Sequence, residues 1–73
     1  MQNTDNNKIH WTVVCVNEFA KQKELQPKEA FQYLYSFGGI SFLIDCYDAE
    51  HMLSFDDAVD DLTIICQRNG GVI

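Results

Sequence analysis

Apolar side chains recur at three- and four-residue intervals along most of this chain, and that spacing restricts its fold more than any other feature. A period of 3.6 residues places such positions on one face of a helix, whereas a strand would need strict alternation. Ile9, Thr12, Val13, Val16, Phe19 and Ala20 form the first face, with Cys15 at its edge and His10, Asn17 and Lys21 opposite. The β-branched run Thr12-Val13-Val14 is the one argument for a strand, and the longer helical period around it outweighs it.

Three further segments carry the same signal with helical punctuation. In "LQPKEAFQYLYSFGG", Pro27 suits a first helical position because its missing N–H would be unpaired there anyway. Glu29 favours the positive end of the helix dipole, and Gly38-Gly39 supplies a left-handed stop. Between them Ala30, Phe31, Tyr33, Leu34, Tyr35 and Phe37 leave almost no polar face. The third segment places Ile40, Leu43, Ile44, Tyr47 and His51 on one stripe. Its continuation would drive Glu50 into the apolar side, so it is expected to loosen near Ala49, with "EHML" as a turn. The fourth opens on Ser54, an N-cap with Asp57 three positions later. It buries Phe55, Ala58, Val59, Leu62, Ile65 and Cys66 and ends in "RNGG".

The pattern predicts an all-α fold, a small bundle of three to four short helices around one core. Residues 9–71 form a single helical domain, and the polar, aperiodic residues 1–8 are expected as a disordered leader. A chain of 73 residues buries only roughly 60–65% of the surface its unfolded form exposes. With 47% hydrophobic and 12% aromatic residues, it carries more apolar surface than so small a core can take up. The girdle around Tyr33 and Tyr35 is therefore expected to face another protein or a second copy, and the chain to associate as a dimer or a complex.

Charge adds a direction. Residues 1–39 hold four acids against four lysines, while residues 40–73 hold seven acids against Arg68 alone, which accounts for the whole net charge of −6. Such a balance repels phosphate backbones, so no nucleic-acid partner is expected, and an acidic flank favours a protein with a basic surface. Ile64 interrupts the acidic side of the fourth segment. With Asp57 and Asp61 beside it, it resembles a small contact centre rimmed by charge.

The stretch "CYDAEHMLSFDD", residues 46–57, gathers one Cys, one His and several acids, as a metal or acid/base site would. On a helix Cys46 and His51 lie about 140° apart, so they do not form a ligand pair. His51 is expected to be structural with Tyr47: buried, and hydrogen-bonded to a backbone carbonyl, to Tyr47 or to Asp48. Cys15, Cys46 and Cys66 are odd in number and widely spaced, which suits reduced thiols. No catalytic residue, metal or cofactor is expected, and the chain reads as non-enzymatic. No apolar run approaches the ~20 residues of a membrane span and no signal-peptide pattern appears, so a cytoplasmic location without a membrane partner is expected.

The order of these segments also carries a resemblance. "PKEAFQYL", then "GISFLIDCYDAEH", then a helix ending in Gly resembles a family of short bacterial proteins grouped as domain of unknown function 3791, over about residues 9–71. Phe42-Leu43, Tyr47-Asp48 and His51 match its most distinctive portion. Gln26 departs from it, standing where Ser often precedes the Pro. The resemblance implies no activity. It does imply a small partner of ADP-ribosyltransferase-like proteins in an arrangement similar to toxin–antitoxin pairs, hence an antitoxin-like binding role.

Overall fold

The computed structural model describes residues 3–73, with side chains from Asn6 onward. They form helices α1 (Asn3–Lys23), α2 (Pro27–Ser36), α3 (Gly39–Asp45), α4 (Tyr47–Glu50) and α5 (Phe55–Arg68), with no strand among the described residues. The bundle measures 35 × 22 × 21 Å. Its long axis matches the roughly 31 Å that 21 residues of α-helix span, so α1 is the spine against which α2, α3 and α5 pack.

The expected leader is largely helical. Residues 3–8 belong to α1, and residues 1–2 lie outside those described. Polar residues without apolar period extend a helix once later turns are packed, because each added residue gains a backbone hydrogen bond without repeating nucleation. At the other end Glu24 takes φ 58° and the Leu25 N–H donates to the Ala20 carbonyl at 2.8 Å. This is a left-handed helix closure with glutamate where glycine is usual.

The caps of the later helices follow the sequence closely. The Gln26 N–H donates to Glu29 Oε1 at 3.0 Å ahead of Pro27, and the Asp57 N–H donates to Ser54 Oγ at 3.1 Å. Gly38 turns left-handed at φ 81° and Gly39 opens α3. A Cβ on Gly39 would lie 2.8 Å from Leu34 Cδ2 and 3.1 Å from Cys66 Sγ, so the missing side chain is what lets α3 approach α2 and α5. The third segment breaks at Cys46, earlier than expected. The chain turns there and resumes as the single turn of α4.

The core joins Cys15, Val16, Phe19 and Ala20 of α1 to Ala30 and Leu34 of α2, Leu43 of α3, and Ala58, Val59, Leu62 and Cys66 of α5. Each fully buried Leu or Phe contributes about 1.5–3 kcal/mol from area removed from water. Cys15, placed at the edge of the first face, is fully buried, while Ile9 and Val13, expected inside, are exposed. Ile44 and Phe55 are partly exposed as well. Tyr33 is also placed otherwise than expected. It is half-buried between Phe19 and Phe37, with ring centroids 5.8 and 5.0 Å away, and its hydroxyl accepts from the Ile73 N–H at 3.0 Å. A phenol with an apolar body and one satisfied polar tip suits an inner position, and here it clasps the C-terminal residues.

Candidate interaction surface

Four of the apolar residues left over by the core gather in one place, while Met52, Leu53, Phe55, Ile64 and Val72 are exposed outside it. Ile9 and Val13, one turn apart on α1, face Phe31 of α2 and Ile44 of α3 across an open groove of about 520 Å³, completed by Lys8 and Thr12. Four-residue spacing puts Ile9 and Val13 on one strip of α1 and stacks Phe31 on Tyr35 along α2, with ring centroids 6.1 Å apart. Tyr35 is 70% exposed and Ile9 63%. The Thr12 hydroxyl donates to the Lys8 carbonyl at 2.8 Å, so it does not seek a partner in the groove. The charge at the rim is the Lys8 ammonium, 5.8 Å from the centre of the Tyr47 ring. A lining of this kind gains free energy by contact with another apolar surface.

Of the four aspartates of α5, three lie at the surface and Asp61 departs from that side. Asp56 accepts from Gln22 Nε2 at 3.0 Å, Asp57 and Asp60 are exposed, and Asp61 is partly buried. Ile64 is 47% exposed. Of the residues expected to meet a partner, Tyr35 adjoins the groove through Phe31, Asp57 and Ile64 lie at the surface of α5, Asp61 turns inward, and Tyr33 supports the C-terminus.

His51 is exposed, which corrects its expected burial. Its Nδ1 lies 2.7 Å from the Tyr47 carbonyl, and its ring stacks on Tyr47 with centroids 4.4 Å apart. Trp11 meets the same Tyr47 edge-on at 5.4 Å. The carbonyl is an acceptor, so the hydrogen bond places a proton on Nδ1. Among the described residues no group of three or more His, Cys, Asp or Glu could hold a metal ion. No helix there is long and apolar enough to cross a membrane.

A family model described as a protein of unknown function, DUF3791, matches residues 10–69. The chain belongs to this family. No curated protein and no solved structure matches it. The match runs from the early turns of α1 to the cap of α5, so the whole Trp11–Tyr47–His51 stack of this DUF3791 chain and four of the six groove residues, all but Lys8 and Ile9, lie within it.

Inside the matched region one polar group stands apart. Glu50, the buried residue of α4, is only 8% exposed, and its Oε1 has no hydrogen-bond partner. Burial, and then the Asp61 carboxyl beside it, which can accept a hydrogen bond from the protonated acid and repels the charged one, push Glu50 up to about 7. Burial, followed by the charges of Glu50 and Glu18, pushes the Cys15 thiol up to about 12. Burial also raises Cys66, opposed by a backbone hydrogen bond from Gly39. Buried thiols raised in this way are poor nucleophiles at neutral pH.

The groove was hidden in the sequence because Ile9, Val13 and Ile44 carry the period of core residues. Glu50 was visible as a misfit on an apolar stripe. That it stays on the stripe and meets Asp61 depends on α5, eleven positions further along the chain.

Proposed function

We propose that this chain is a non-enzymatic interaction module, acting in the cytoplasm, that regulates a second protein by seating an apolar helix of that protein in the groove between α1, α2 and α3. The observation that carries the reading is the groove itself, with Ile9, Val13, Phe31 and Ile44 exposed together over an open, apolar cleft. A helix offering apolar residues at i, i+3, i+4 and i+7 fits such a cleft. A carboxylate beside that apolar face would meet Lys8. The acids of residues 40–73 lie mostly away from the lining and would steer a basic partner, changing its on-rate more than its grip. An antitoxin-like role toward an ADP-ribosyltransferase-like protein, as the family resemblance implies, is one form of this regulation.

A second copy of the chain is the competing occupant, and the charge distribution favours it. The groove draws mainly on the charge-balanced residues 1–39, so two copies could meet there without apposing their acidic parts. Titration calorimetry of the purified chain against the product of the adjacent reading frame, together with sedimentation of each alone, separates the two. Binding to that product, lost in a Val13→Asp, Ile44→Asp variant, supports the module. A homodimer that the same variant dissolves, with no binding to the product, supports the second reading.

A further inference from the structure

We propose that Glu50 is a proton-controlled latch: protonated, it holds α4 and the turn after it against α1 and α5, and ionised, it releases them. The inference stands apart from the groove and does not depend on it.

The anchoring is narrow. Glu50 is the buried residue of α4, while Asp48, Ala49, His51, Met52 and Leu53 are exposed. Apart from Glu50, the segment is held by half-buried Tyr47, which leans on Trp11. The groups around the Glu50 carboxyl offer it no positive charge of their own. Cys15 approaches from α1 and Asp61 from α5, while the charge of Glu18 acts on the Cys15 thiol. Glu18 has its own cation in Lys21, at 3.6 Å, and Asp45, the acid of α3, is exposed.

A carboxyl in this place has two states of different consequence. With its proton it is a neutral group that can donate to Asp61, and burial costs it little. Without the proton it is a buried charge facing a second carboxylate, with one oxygen unpartnered, and such a charge moves toward water when the chain allows it. The chain allows it here, because α4 is a single turn between the break at Cys46 and the open residues before Ser54. The Cys15 thiol stays protonated throughout, being pushed up to about 12. With Glu50 raised to about 7, release falls near neutral pH. Each further pH unit raises the ratio of open to closed up to about tenfold. Because Lys8 lies over Tyr47, release also alters one rim of the groove.

The test is carbon-detected NMR of the glutamate side-chain carboxyls, with amide hydrogen exchange of residues 50–53, corrected for intrinsic rates, from pH 5 to 9. One glutamate titrating near 7, and exchange at His51 and Leu53 rising with the same midpoint, supports the latch. Those two amides donate to the Tyr47 and Glu50 carbonyls, at 2.9 and 3.0 Å. Glu50→Gln should remove the rise and keep the segment closed, and Asp61→Asn should bring the titration down toward the ordinary carboxylate range. Both histidines remain in these variants, so the differences isolate the carboxyl pair. A Glu50 titration near 4.5, or a rise in exchange that persists in Glu50→Gln, overturns it. If Glu50→Gln does not fold, the wild-type titration decides alone.

Discussion

Around the groove, α1, α2 and α3 expose apolar side chains and few charges; around Glu50, α4 and α5 expose acids and bury one of them. In the first region the departure from ordinary globular structure is apolar surface facing water, and in the second it is a polar group facing the core. The first departure costs little stability, because single exposed apolar residues are common. The second becomes costly once Glu50 ionises, because the buried charge then has no compensating partner. The two regions should therefore respond in opposite ways to substitution: groove positions should move binding and spare stability, and positions near Glu50 should move stability.

The largest effect is expected in the core that separates the regions. Leu34→Ala should cost about 2–5 kcal/mol in chemical denaturation, a large part of what a chain of this size has available. A loss below about 1 kcal/mol would mean that α2 does not pack as described. Next comes the pH dependence set by Glu50. Between about 4.5 and about 7 the folded chain keeps a proton that the unfolded chain has released. Its contribution is thus whole below about 4.5, declines as pH rises and is gone above about 7, a change of up to about 3 kcal/mol. Denaturation midpoints of wild type and Glu50→Gln should diverge across this interval, with the variant the more stable at pH 8.

Smaller effects sharpen the contrast. Glu24→Gly should stabilise by about 0.5–1 kcal/mol in thermal melts, since Glu24 holds a left-handed φ of 58° that glycine adopts freely. His51→Gln should cost no more than about 1 kcal/mol, because its hydrogen bond to the Tyr47 carbonyl is exposed to water. Ile9→Ala should change stability by less than about 0.5 kcal/mol although its residue type and spacing match the core.

The local features of the fold were legible in the sequence because local chemistry decides them. Pro27 with Glu29, Gly38, and Ser54 with Asp57 each mark a helix end through bonds to neighbours within a few residues. The choice of which arc of α1 to bury was not legible. Its apolar residues extend over more than the arc that one core can cover, so Ile9 and Val13 satisfy the helical period as well as Val16 and Phe19 do. Only the positions of α2, α3 and α5 decide between them. Tyr33 counts as surplus in the sequence for a similar reason: its partners, Phe19 and Ile73, are 14 and 40 residues away. The break at Cys46 left no comparable local mark, having neither glycine nor proline.

Affinity for the adjacent reading frame's product, measured by titration calorimetry at one salt concentration for three proteins, bears most directly on the role of the groove. Wild type should bind. Val13→Asp with Ile44→Asp, folded by circular dichroism, should lose at least about tenfold in Kd, or about 1.4 kcal/mol, while Ile64→Asp should match wild type. An unchanged Kd for the groove variant together with a weakened Ile64→Asp would place the contact on α5 and contradict the groove.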